Sequence, residues 1–130
     1  MASIVREFTL AAGAAQVWDA LADFGALHTR LVPGFVTATE LDGDTRIVTF
    51  ANGSVARERL VALDARHRRL AYTIASDRLK HHHASAQIFA DGDDRCRFVW
   101  ITDVLPDEIA PIIDGQMDAG MAAMKRTFGG

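Results

Sequence analysis

The chain has 130 residues, 49% hydrophobic and 24% charged, which is one domain's length with enough apolar material for its own core and no resemblance to disordered, fibrous or disulfide-stapled compositions. A formal net charge of -3 argues against the basic face with which proteins track nucleic-acid phosphates. The single cysteine, Cys96, forbids an intrachain disulfide, and no uncharged apolar run reaches the ~18 residues that a bilayer span needs, so one cytoplasmic domain over residues 1–130 without membrane insertion is expected.

In chain order, Ser3 to Leu10 alternates Ile4, Arg6, Phe8 and Leu10 against Val5, Glu7 and Thr9, as a strand does. Val17, Leu21 and Phe24 then recur at helical spacing beside Trp18, predicting a helix over Ala14 to Ala22 that Gly25 ends. A second short helix is expected over Ala26 to Leu31, before Pro33-Gly34. From Phe35 the period changes to two for about seventy residues. Asp42-Gly43-Asp44, Asn52-Gly53 and Asp91-Gly92-Asp93-Asp94 serve as turns, and the strands between the breaks are Phe35–Leu41, Thr45–Phe50, Ser54–Leu63, Leu70–Ala75, Lys80–Ala90 and Arg95–Val104. With the first, that makes seven.

The last element is a helix of about twenty residues, ~30 Å long. Pro106 suits its first position, Asp107 and Glu108 its positive end, Lys125 and Arg126 its negative end, and Gly129 follows. Its apolar row is Ile109, Ile112, Ile113, Met117, Met121 and Met124, and the three methionines make that face adaptable in shape.

This order of elements, together with Val17-Trp18-Asp19-Ala20-Leu21, Asp23-Phe24, Gly53-Ser54-Val55-Ala56-Arg57-Glu58-Arg59-Leu60, Leu63-Asp64 and Arg69-Leu70-Ala71-Tyr72, resembles the helix-grip (START-like) superfamily. That group contains START domains, pollen-allergen-like proteins, polyketide cyclase/dehydrase-like proteins and plant abscisic-acid receptors. Asp77-Arg78-Leu79-Lys80 is similar to the receptors' His-Arg-Leu latch, but Asp77 stands in place of the histidine. Ala51-Asn52-Gly53 is a tight turn where the receptors carry a longer gate loop. The bacterial polyketide cyclase/dehydrase-like members are therefore the nearer resemblance. It implies an α+β fold, a seven-stranded curved antiparallel sheet around the C-terminal helix, enclosing a cavity for a hydrophobic small molecule of lipid, polyketide or aromatic type.

Within that frame, Glu58 shares strand parity with Ala56, Leu60 and Ala62, which sets a carboxylate among small apolar side chains. It is a candidate acid–base group or polar anchor, and the resemblance implies a cavity-facing glutamate in this motif. The plainer alternatives are a surface position or pairing with Arg30, Arg57 or Arg59. His81-His82-His83 alternates faces, so two histidines at most share a side and no zinc set is completed. His82, in phase with Ala84, Ala86 and Ile88, is the one expected to face inward. Tyr72, Trp100, Ile113, Met117 and Met121 are candidate ligand contacts, and Arg30 a candidate at the pocket mouth.

No phosphate loop, nucleophile elbow, Cys-x-x-Cys or complete calcium loop occurs, so neither cofactor nor metal is expected. Three functions fit: a small-molecule binder, monomeric or homodimeric; a cyclase, aromatase or dehydratase using Glu58 or His82 as acid–base; or an interaction module with a filled core.

Overall fold

The computed structural model describes residues 1–130. The strands are β1 (Ala2–Leu10), β2 (Val36–Asp42), β3 (Thr45–Phe50), β4 (Val55–Asp64), β5 (Arg69–Ile74), β6 (His81–Ala90) and β7 (Cys96–Leu105), with helices α1 (Ala14–Ala22) and α2 (Ala110–Phe128). All seven strands form one antiparallel sheet in the order β1-β7-β6-β5-β4-β3-β2. Strands β2 to β7 run as a meander, and β1 returns to pair with β7, leaving β1 and β2 as the edges.

Even-numbered residues of β3, β4, β6 and β7 face the interior. The period-two pattern thus gives the sheet one apolar face, and β4 keeps this phase across the irregularity between Leu60 and Ala62. Helix α2 covers that face with Ile113, Met117, Gly120, Ala123 and Met124. Those residues recur every three or four positions, as a single helical stripe must. Arg6 of β1 fastens the helix from its outer side, pairing with Asp118 at 2.8 Å and with Asp114. The hydrogen bond to Asp118 and then that to Asp114 raise the Arg6 guanidinium above its ordinary range.

Three details differ from expectation. Helix α1 spans Ala14–Ala22 as expected, but Gly25 does not end it and lies inside a 3₁₀ turn, Phe24–Ala26. The second short helix is a single wide turn over Leu27–Leu31. Pro106 precedes a 3₁₀ turn, Asp107–Ile109, that runs directly into α2, and the proline in the first turn of α2 is Pro111. A missing N–H is tolerated at either place, so the sequence holds two equivalent start signals five residues apart. Ile112, expected on the packed face, is 45% exposed.

Candidate functional site

Two adjacent hollows, sharing part of their walls, lie between the sheet and α2. The first has about 440 Å³ of space free of protein atoms, part of it open solvent, and about 50 Å³ is reachable by the centre of a water molecule. That water-centre space is room for about three or four waters. Its wall is almost wholly apolar, from Leu21, Leu27, Leu31 and Val32 to Phe98 and Met124, interrupted only by Arg46 and Glu58. The second has about 330 Å³, about 40 Å³ on the water-centre measure, and is more polar, bordered by His82, Thr102 and Gln116 as well as Ile113 and Met117. Phe35, Glu58, Tyr72 and Trp100 border both, so these four side chains form the waist. Beyond the second lobe a surface groove shares Phe50, Ile74, Ile113 and Gln116 with it and opens between the start of β4, the loop at Ala75–Leu79 and the first turns of α2.

Glu58 is buried, 5% exposed, and its partner is none of the arginines considered from the sequence. Arg46 of β3, 3% exposed, stands directly opposite Glu58 in the β3–β4 register. Its Nε donates to Glu58 Oε1 at 2.8 Å, its Nη2 lies 2.8 Å from the same oxygen, and its Nη1 donates to the Phe24 carbonyl at 3.4 Å. The guanidinium also lies 4.1 Å from the Phe24 ring centroid and 5.4 Å from that of Tyr72, within cation–π range. Both contacts fall on one carboxylate oxygen, so Oε2 is left uncommitted. Arg57 and Arg59 point outward to Asp42 and Asp44.

Arg30 does not reach this pair. It donates to Asp19 at 2.6 Å and to Asp23 at 3.0 Å on the surface beside α1, hydrogen bonds that raise its pKa, that to Asp19 first. Met121 packs against the core without bordering either lobe, whereas Met124, one turn on, borders the first.

Tyr72 is buried, its ring 5.9 Å from that of His82. Burial, then the negative charge of Glu58, pushes its phenol well above the ordinary range, against smaller downward pulls from Arg46 and the Trp100 indole. The phenol therefore stays protonated. His82, 6% exposed, accepts a hydrogen bond from the Ile74 backbone N–H on Nδ1 at 3.0 Å, which places its own proton on Nε2. Burial first, then His83 and His81, lowers its pKa to about 4. The Trp100 indole nitrogen, Nε1, is buried without a hydrogen-bond partner. His81 is exposed and His83 half-buried on the other face of β6, and no three metal-ligating side chains converge anywhere in the chain.

Trp100 is held by a close approach from α2. A Cβ on Gly120 would lie 2.9 Å from Trp100 Cη2 and Cζ3 and 3.5 Å from Phe35 Cε2. Gly120→Ala therefore has to push the indole toward the waist. The helical gain of roughly 1 kcal/mol is outweighed by overpacking of ~1–3 kcal/mol, and a net loss of about 1 kcal/mol is expected in urea denaturation. A gain in stability would mean that the ring yields freely.

The family model described as polyketide cyclase / dehydrase and lipid transport matches residues 1–129. The chain belongs to this family. Solved structures agree on the fold. An uncharacterized protein from Bacillus thuringiensis superposes with a TM-score of 0.86 at 18% identity, over 98% of each chain. A Thermobifida fusca protein gives 0.74 at 28% identity over 98% of this chain and 95% of its own. Norcoclaurine synthase from Thalictrum flavum gives 0.75 at 21% identity over 96% and 91%. No curated protein matches the sequence. Family and fold together make this a ligand-binding helix-grip domain, and none of its helices is long and apolar enough to cross a membrane.

Proposed function

We propose that the protein binds a compact, largely apolar small molecule, with its ring or hydrocarbon body in the first lobe and its polar end reaching past the waist into the second, among Glu58, Tyr72 and His82. The observation that carries this is the waist itself: the Trp100 N–H is buried inside an apolar wall without a hydrogen-bond partner, beside a Glu58 whose Oε2 takes no hydrogen bond from Arg46. A core meant only to be filled would have no use for such a donor, since a buried unsatisfied polar group costs ~1–3 kcal/mol. Two narrow lobes suit a fused-ring molecule better than a long acyl chain, which argues for the aromatic or polyketide type over the lipid type.

A ligand that binds only the folded state at one hundred times its Kd stabilises it by about 2.7 kcal/mol. Saturating naphthalene- or anthraquinone-sized compounds are expected to raise the melting temperature by several degrees and to change the tryptophan fluorescence, because Trp100 borders both lobes. A panel of such compounds that leaves both readouts unmoved would remove the binding reading.

One observation favours a second reading, an acid–base enzyme. Glu58 Oε2 is free beside a protonated Tyr72, so a carboxylate is available to take a proton next to a carbonyl whose oxygen the phenol steadies. Slow exchange of α-hydrogens of a bound ketone for deuterium, lost in Glu58→Gln, is the result expected of an enzyme. Retention of the ketone unchanged is the result expected of a carrier.

A further inference from the structure

We propose that the second lobe is built to receive a neutral carbonyl group, its oxygen taking hydrogen bonds from Tyr72, His82 or Trp100 while the ligand's apolar body fills the first lobe. This rests on the binding reading above and adds the chemical class of the polar end.

The argument is a count of donors and acceptors. His82 Nδ1 is occupied by the Ile74 N–H, so the imidazole offers only a donor, Nε2–H. The Trp100 indole is a donor by constitution; its N–H is buried without a well-formed hydrogen bond, and it lies near enough to the Tyr72 hydroxyl to pull that group's pKa down. The Tyr72 hydroxyl keeps its proton in this apolar setting. Three donors thus border one small space, while the single fixed acceptor is Glu58 Oε2, at its edge. Thr102 and Gln116 can act either way and do not alter the balance.

Charge narrows the class further. Arg46 and Glu58 neutralise one another at 2.8 Å, and no other ionised side chain borders either lobe. An ammonium would face three donor hydrogens and a carboxylate already paired. A carboxylate would carry an uncompensated negative charge in beside Glu58, and burying an unpaired charge is the costliest outcome available. A carbonyl oxygen brings no net charge and has two lone pairs for two of the three donors.

The test compares four ligands of one shape on the full chain: 2-acetylnaphthalene, 2-isopropenylnaphthalene, 1-(2-naphthyl)ethylamine and 2-naphthoic acid. Dissociation constants come from tryptophan fluorescence, and the ketone's carbonyl stretch is read by infrared difference spectroscopy. The ketone is expected to bind at least about tenfold more tightly than its alkene isostere, the equivalent of two ordinary hydrogen bonds, and more tightly than the amine or the acid. Its carbonyl stretch is expected to fall in frequency on binding. Tyr72→Phe should erase part of the ketone's advantage over the alkene while leaving alkene affinity within about twofold. The infrared shift in the unmodified protein decides the matter if that variant does not fold. An alkene as tight as the ketone, an unshifted carbonyl band, or a preference for amine or acid overturns the carbonyl assignment and leaves the binding reading standing. Binding of none of the four would bring down both.

Discussion

Arg46→Met is expected to destabilise the fold by about 3–5 kcal/mol, because it leaves Glu58 charged, 5% exposed and without a partner. The same change removes the cation over the Phe24 ring and the donor to the Phe24 carbonyl, which tie the turn after α1 to β3. Removing both charges is a different matter. In Arg46→Met combined with Glu58→Leu nothing ionised is left inside, and replacing a buried ion pair by apolar groups of similar volume is often neutral or stabilising by ~1–4 kcal/mol. A double-mutant cycle in urea should therefore give a large coupling, with the double variant close to the unmodified protein. A single-variant cost below ~1 kcal/mol would mean that water reaches the pair. The sharper consequence is functional. A pair that stability does not need, kept beside the waist of a cavity, is explained by what it does there, so the double variant should fold well and lose any deuterium exchange into a bound ketone, while the donors of the second lobe still hold the carbonyl.

That pair also marks where the sequence stops being legible. Strand parity puts Glu58 inward, and the same parity puts Arg46 inward with Val48 and Phe50, so each residue's face can be read from the period alone. Their contact cannot, because it depends on the length of the β3–β4 loop. The strand limits Phe50 and Ser54 leave Ala51-Asn52-Gly53 as the loop, whereas a two-residue Asn52-Gly53 turn would set inward Arg46 opposite outward Arg59, which is ruled out because paired residues share one face. The observed loop, closed by Phe50 N–H to the Ser54 carbonyl and Gly53 N–H to the Phe50 carbonyl, sets it opposite Glu58. One residue of loop decides which pair meets.

The seven strands, by contrast, each fall within about one residue of the positions that alternation and turn residues predict, helped by the Gly, Asp and Asn turns at Asp42-Gly43-Asp44, Asn52-Gly53 and Asp91-Gly92-Asp93-Asp94. The start of α2 was ambiguous because Pro106 and Pro111 both satisfy the rule for a first turn. The role of Gly120 was hidden for another reason. Its requirement comes from a ring twenty residues earlier in the chain, and nothing local to the helix announces it.

Stability is expected to fall as the pH drops from about 6.5 to about 4, with His82 responsible for up to about 3 kcal/mol of the loss. In the unfolded chain its imidazole binds a proton near the ordinary value of 6.5, whereas in the fold it resists protonation down to about 4. Between these values the unfolded state holds more protons, so acid favours unfolding, and the contribution is complete only above the ordinary value. The groups that bear on it are consistent with this direction. His81 and His83 flank it on β6 and oppose a further positive charge, Tyr72 on β5 stays neutral, and the carboxylate of Glu58 is already engaged by Arg46.

Protonation at Nδ1 would also break the bond from the Ile74 N–H. His82→Asn supplies an acceptor oxygen in the place of Nδ1 and cannot titrate, so its urea midpoint should change less than that of the unmodified protein between pH 7 and pH 4. The exposed ion pairs of Arg6, Arg30 and His67 are the same in both proteins, so the difference between the two profiles isolates His82. Tyr72 gives the mirror image in alkali. Its folded value is raised, so the unfolded chain loses the phenol proton first and stability declines once the pH passes about 10. Parallel acid profiles for His82→Asn and the unmodified protein would show that the imidazole is already solvated, and the donor it presents to the second lobe would then be satisfied by water instead of by a ligand.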